Sequence, residues 1–317
     1  MWSGLLSLLS PAGPRARLSI LIFHRVLAAP DSLFPDEMHA ARFNELCGWL
    51  ARWFQVLRLD EAVARLRRND LPARALAITF DDGYADNHDV ALPILQRHGL
   101  SATFYIATGF LDGGRMFNDT VIEAVRGCQH PVLALDDLGI DGVGALPLGD
   151  AAQRRAAIGA LLKGLKYLQP QARLQRVQQV ADRAGAALPD HLMMSSAQVS
   201  GLHNAGMLVG AHTVSHPILA VLDAPQARRE IDRSREQLQA LTGMPVSHFA
   251  YPNGMPGRDF SDATVALVKD LGFDSAVTTG WGAARSGADL HQLPRFTPWD
   301  TTRSRFAARM VRNLLTA

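Results

Sequence analysis

The sequence predicts an α/β domain built on a parallel sheet, with a largely helical insertion near its middle. Three observations predict it. Short apolar runs alternate with helical patterns along most of the chain, the order that a parallel sheet requires. The alternation stops between about residues 117 and 205, and then resumes. The 317 residues are 48% hydrophobic and 20% charged, enough apolar material for a sizeable core and too much for a disordered protein. No repeat of solenoid period is present, so residues 1–317 read as a single domain with one insertion.

The elements follow in order. Residues 18–23 (LSILIF) form a buried strand that ends at His24. A helix fits residues 39–54 and a short strand 56–59, after which Asp60 caps a helix running to about Arg68. Residues 75–80 make the next strand, broken sharply at Asp81-Asp82-Gly83. A helix over 87–98 stops at Gly99, and a strand covers 103–107. From about Phe117 to Ala205 helical patterns dominate, with a Gly-rich interruption at 139–149 and no strand pattern, as in a helical subdomain or lid. The alternation returns with a strand at 207–211 and a helix at 225–241. Strands at 246–250 and 275–278 flank a helix at about 261–271, and a last helix covers 302–315.

Composition narrows the function. The 32 basic and 30 acidic residues are interspersed, which leaves no footprint for nucleic acid. Cys47 and Cys128 lie far apart in no metal-ligand spacing; they exclude a disulfide scaffold and fit a reducing compartment. No apolar run reaches the ~18 residues of a transmembrane segment. The N-terminal apolar run precedes its arginines, the reverse of an export signal. The expectation is a cytoplasmic rather than a periplasmic protein, with peripheral membrane contact through Trp2, Leu5, Leu6, Leu8 and Leu9.

Three groups that could carry chemistry stand just after strands, where ligand sites gather in parallel α/β folds. In Thr79-Phe-Asp-Asp-Gly83, two adjacent carboxylates would repel if buried together, and a divalent cation would offset them. One Asp could bind it while the other stays free as a base; the plainer reading is an Asp/Gly turn. In His212-Thr-Val-Ser-His216, two imidazoles four residues apart can face one point, a spacing that suits zinc. Alone, the pair reads as two histidines on a turn; with Asp82 it makes an open two-His, one-carboxylate site. His24 ends the first strand as a candidate proton donor, against a structural role paired to a carbonyl. Trp281, after a strand, could stack on a sugar ring or pack in the core.

These paired motifs resemble the polysaccharide deacetylase family, carbohydrate esterase family 4, in segments from about His24 to Arg295. The resemblance implies a distorted (β/α) barrel and removal of acetyl groups from N-acetylated sugars with a divalent metal. It implies Asp81 as general base and Asp82, His212 and His216 as metal ligands. The family's third motif is usually Arg-x-Pro-Tyr-Gly or a close variant, whereas this chain has Phe249-Ala-Tyr-Pro-Asn-Gly254. Pro252 and Gly254 keep the turn, so Asn253 N–H can point at an oxyanion, and Arg295 is the expected partner that orients Asp81. The family's late Leu-x-His motif is also missing. A subgroup resembling the poly-N-acetylglucosamine deacetylases carries the corresponding His on an N-terminal strand. Ile22-Phe-His-Arg-Val26 matches that pattern, and the Tyr-Pro-x-Gly form belongs to the same subgroup, which implies that Tyr251 lines the oxyanion and substrate site with Asn253.

The resemblance therefore implies a hydrolase that frees acetate from an amino sugar of a polysaccharide or glycolipid precursor. One divalent ion would serve, zinc by its ligands, with cobalt, nickel or iron able to substitute. Two alternatives keep the same scaffold: an amidohydrolase of a small cyclic amide, and an inactive glycan-binding module.

Overall fold

The computed structural model describes residues 2–316. The chain opens with helix α1 (Trp2–Leu9) and strand β1 (Arg17–Phe23). Helix α2 (Ala40–Trp53), strand β2 (Gln55–Val56) and helix α3 (Leu59–Arg68) lead to β3 (Ala75–Phe80). A π-helical turn over Asn87–Ala91 enters α4 (Leu92–Arg97), and β4 (Thr103–Ile106) follows. Next come α5 (Phe117–Gly127), β5 (Val132–Ala134), β6 (Ala145–Pro147), α6 (Ala151–Leu165) and α7 (Pro170–Ala184). Helix α8 (Ser196–Asn204), β7 (Leu208–Ala211), α9 (Ala224–Thr242) and β8 (His248–Ala250) return to the alternating order. The chain ends with α10 (Asp262–Asp270), β9 (Ser275–Val277), β10 (Ala284–Arg285) and α11 (Arg303–Leu315).

These elements divide into two compact units. The first comprises residues up to 29, 38–112 and 194 onward. Its eight-stranded sheet runs β10-β1-β3-β4-β7-β8-β9, with β2 also on β3. Every pairing is parallel except β1 with β10. The sheet curls, and an irregular strap bridges its two sides. Thr278 N–H donates to Leu293 O and Leu293 N–H to Ala276 O, while Ile22 N–H donates to Phe296 O and Phe296 N–H to Ile20 O. The strap thus lies between β9 and β1, so the strands form a curled, barrel-like sheet with helices around it.

Both faces of the strands are buried, which is why they read in the sequence as continuous apolar runs. Alternate side chains nevertheless take different faces. Leu18, Ile20, Ala75, Ala77, Tyr105, Ala250, Val277 and Leu293 join one cluster inside the curl, with Leu59, Val63 and Leu66 of α3. Leu21, Phe23, Leu76, Ile78, Phe80, Phe104, Ile106, Phe249 and Tyr251 pack on the other side among the helices. That alternation fixes where each strand-end residue points.

Two expectations change here. Helix α3 starts after Arg58, which makes no side-chain cap; Asp60 sits in the first turn instead, where its carboxylate accepts from Arg58 at 2.8 and 2.6 Å. A negative charge in a first turn also favours the helix dipole. The N-terminal apolar run is a core helix: Leu6 is fully buried and Trp2 and Leu9 pack on the same core, so Leu5 and Leu8 are the exposed leucines of α1. Among the described residues, no helix is long and apolar enough to cross a membrane.

The second unit comprises residues 30–37 and 113–193. Helices α5, α6 and α7 pack around Val121, Val125, Leu161, Leu165, Val177 and Val180. Arg126 ties the 31–34 turn to α5, with its guanidinium 2.7 Å from Asp31. The unit also holds an antiparallel pair, β5 with β6, where the sequence shows no strand pattern. Strands of three half-exposed residues are too short to display a period. Helix α8, counted with the insertion in the sequence, belongs to the first unit.

Candidate active site

The site grows from the carboxyl ends of β1, β3, β7 and β8. On β3 the inward positions are Ala75, Ala77 and Thr79, and Asp81 continues that series just past the strand. Arg295 comes to meet it from the strap, its backbone N–H anchored on Gly280 O. The guanidinium grips Asp81 through both oxygens, Nη1 to Oδ1 and Nη2 to Oδ2, each at 2.7 Å. Two further bonds hold it: Nε donates to Thr278 O at 3.0 Å and Nη1 to Thr79 Oγ1 at 3.1 Å. The Tyr105 ring lies 5.6 Å away in a cation–π arrangement. Burial alone would raise the pKa of Asp81, but the charges of Arg295 and His212 and the Arg295 hydrogen bonds outweigh it, so the carboxyl stays below its ordinary range. The added hydrogen bonds help offset the cost of burying such an ion pair.

Asp82 takes a left-handed conformation, φ 76°, and Gly83 follows at φ 91°. That turn lets both adjacent carboxylates serve one site. Asp82 Oδ1 lies 3.5 Å from His212 Nε2 and 3.4 Å from His216 Nε2. The three residues offer ligand atoms within 4.8 Å of one another. His212 is 1% exposed, and its Nδ1–H donates to Ala250 O at 2.7 Å, which leaves the Nε2 lone pair facing the carboxylates. Burial raises the pKa of Asp82, yet His212, His216 and His24 together hold it well below the carboxylate range. Burial disfavours a charged His212, but Asp81 and Asp82 outweigh that and raise its pKa. The cluster thus draws positive charge.

These residues fit a divalent cation. Asp82 Oδ1 is buried and takes no hydrogen bond, a cost that coordination would remove. Two imidazoles and a carboxylate, with Nε2 of one fixed by a backbone carbonyl, are a donor set suited to zinc and its neighbours. Backbone strain gathers at the same place. Of the described non-glycine residues with positive φ, Asp82, Thr213, His216 and Asn253 all belong to the strand-end loops that build the site. For a β-branched residue such as Thr213, at φ 65°, the conformation is costly and must be held by its surroundings.

His24 stands exposed at the end of β1, near enough that its charge lowers the pKa of both Asp81 and Asp82. Its carbonyl accepts from Asn87 Nδ2 at 2.9 Å, and Asp86 takes Arg25 Nε at 2.8 Å and Val26 N–H at 3.0 Å. Asp86 and Asn87 therefore hold the His24 segment, and Asp86 makes no side-chain cap on the helical turn that follows. Asn253 occupies a tight turn, with Gly254 N–H on Pro252 O at 2.7 Å and Asn253 O accepting from Thr279 Oγ1 at 2.9 Å. No hydrogen bond among the described residues uses Asn253 N–H.

Tyr251 requires correction. It has the outward parity of Phe249, is 1% exposed, and stacks on Phe260 at 3.9 Å. Its hydroxyl donates to His291 O and its backbone N–H to Val277 O, so both of its donors are used within the core. Trp281 rests on Phe296 at 4.9 Å beside Arg309 and Arg312 of α11, 39% exposed and outside the Asp/His/Arg network. Thr79 and Tyr105, not singled out in the sequence, both touch Arg295. Their inward parity on β3 and β4 is the signal that could have found them.

The arrangement sets an ionised carboxylate, a donor set for one cation, an open N–H and an exposed imidazole at one sheet end. It can activate water, stabilise an oxyanion and return a proton. Residues 68–132 and 169–276 match the family model described as polysaccharide deacetylase. A putative polysaccharide deacetylase of Bacillus subtilis (strain 168), YxkH, is 32% identical over 93 residues, 29% of this chain. The match spans 32% of that protein's length. IcaB from Ammonifex degensii superposes with a TM-score of 0.60 at 18% identity, covering 95% of this chain and 98% of that one. The deacetylase PplD of Streptococcus pyogenes, solved with acetate, gives 0.57 at 19% identity over 89% of this chain and 92% of that one. At such identities these structures establish the shared fold.

Proposed function

Because this chain belongs to the polysaccharide deacetylase family, we propose that it is a metal-dependent hydrolase that removes the N-acetyl group of an amino sugar in a polysaccharide or glycolipid precursor. One observation carries this reading: the Arg295-clamped carboxylate of Asp81 stands beside the Asp82, His212 and His216 donor set. The acetate in the PplD structure is the product this reading assigns.

Asp82, His212 and His216 would hold the cation, zinc by ligand type, which would polarise the acetyl oxygen and lower the pKa of a bound water toward ~7. Asp81 accepts the proton of the attacking water. Arg295 occupies one lone pair on each of its oxygens, which leaves others free, and keeps the carboxylate ionised and fixed in angle. Asn253 N–H donates to the oxyanion that forms on the acetyl carbon. His24, exposed at the mouth, gives its proton to the departing sugar nitrogen, so the products are acetate and a free amine. Trp281 offers an aromatic face to a sugar ring. With His24 on β1 and a Tyr-Pro-Asn-Gly turn, the site follows the pattern of the poly-N-acetylglucosamine deacetylases, and N-acetylglucosamine oligomers are the first substrates to try.

The test is acetate release from such oligomers by zinc-loaded protein. Release by the wild type and its loss in Asp81→Asn supports the proposal. Oligomer binding without release would instead favour a glycan-binding module. Hydrolysis of a small cyclic amide, with no acetate from any glycan, would favour the amidohydrolase.

A further inference from the structure

We infer that Glu230, on α9, is a positioning residue for the loop that carries His216; the inference rests on reading Asp82, His212 and His216 as a metal centre. The loop joins the two histidine ligands and is bent by two left-handed residues, Thr213 at φ 65° and His216 at φ 50°. Such a bend turns consecutive N–H groups toward one side, where they need an anionic acceptor. Glu230 supplies it. Its Oε2 accepts from Val214 N–H at 2.9 Å and Ser215 N–H at 2.8 Å, and its Oε1 accepts from Ser215 Oγ at 2.7 Å.

The loop is gripped from other sides as well. Val214 O accepts from Gly109 N–H at 2.8 Å, and a Cβ on Gly109 would stand only 2.8 Å from that oxygen. His216 N–H donates to Thr213 Oγ1 at 3.1 Å. Gln237, two turns beyond Glu230 on α9, accepts from Thr108 Oγ1 at 2.5 Å, so the same helix steadies the loop after β4. Of these contacts, only that of Glu230 is charge-assisted and touches two consecutive N–H groups between the ligands. Without it the strained loop relaxes, and His216 Nε2 leaves its place 3.4 Å from Asp82 Oδ1.

The experiment measures zinc affinity of the metal-free full chain, by calorimetry or competition with a chelating dye, for wild type, Glu230→Ala and Glu230→Gln. Partners of metal ligands typically contribute 10–100-fold to affinity, so Glu230→Ala should weaken zinc binding by about that factor. Glu230→Gln keeps an oxygen for the two N–H groups but loses the charge, and should lose several-fold. Acetate release by either variant should recover as zinc is raised to saturation, while thermal unfolding of the metal-free variants stays near that of the wild type. If Glu230→Ala fails to fold, the Glu230→Gln affinity decides. Variants that bind zinc as tightly as the wild type overturn this inference alone. A wild type that binds no zinc overturns the metal centre, and the inference with it.

Discussion

Asp81 and Asp82 are neighbours in sequence with different tasks, and the difference lies in what each touches. Asp81 faces a guanidinium through both oxygens, whereas Asp82 keeps an oxygen without a hydrogen bond toward two imidazoles. Asp81→Asn is therefore expected to retain zinc while losing about 10²–10⁴-fold in acetate release, the usual contribution of a general base. Wild-type turnover in that variant would remove Asp81 from its role. Arg295→Met leaves the Asp81 charge buried without its guanidinium partner, and should destabilise the fold by roughly 3–5 kcal/mol in urea unfolding. A loss within experimental error would show that the pair does not hold the strap. The Asp-Asp-Gly and His-x-x-x-His motifs were legible because each sits in one short stretch. Tyr251 was misread because its neighbours in sequence say nothing of face: one residue's shift along β8 separates the inward Ala250 from the outward Tyr251.

At the scale of elements, the barrel interior leaves little room, and Gly210 of β7 shows it. A Cβ there would meet the Tyr105 ring at 2.5 Å and His248 O at 3.0 Å. Gly210→Ala should cost about 1–3 kcal/mol by overpacking, and should also disturb the ring beside Arg295. An alanine variant as stable as wild type would mean that Tyr105 moves freely. In the second unit, burial raises the pKa of Asp31, but the Arg126 hydrogen bond and the N–H groups of Phe34 and Leu33 outweigh it and lower the value from the ordinary 3.8. A depressed carboxylate contributes stability above its unfolded pKa, and that contribution fades as pH falls through the folded one. The stability difference between wild type and Asp31→Asn should thus be full near neutrality and shrink below about pH 4. A difference that does not change with pH would contradict this. Long strands and helices were readable from their apolar runs; α1 was not, because eight residues before a Pro-Gly stretch resemble a leader as much as a core helix.

For the whole molecule, sheet order and the strap were beyond the sequence. Residues 290–296 have no strand period, yet their hydrogen bonds to β9 and β1 deliver Arg295 to Asp81, 214 residues away along the chain. The pause in α/β alternation marks the stretch that forms most of the second unit, whereas residues 30–37 join that unit only through folding. A ligand bound by the native state alone stabilises it by mass action, about 2.7 kcal/mol at a hundredfold excess over Kd. Zinc should therefore raise the unfolding temperature of the wild type and leave His216→Ala nearly unmoved. The central claim is that Asp82, His212 and His216 form one metal centre, and elemental analysis of the purified wild type beside His216→Ala tests it most directly. The account predicts about one divalent metal per wild-type chain and its loss from the variant. No metal in the wild type, even after zinc or cobalt is supplied, would contradict it.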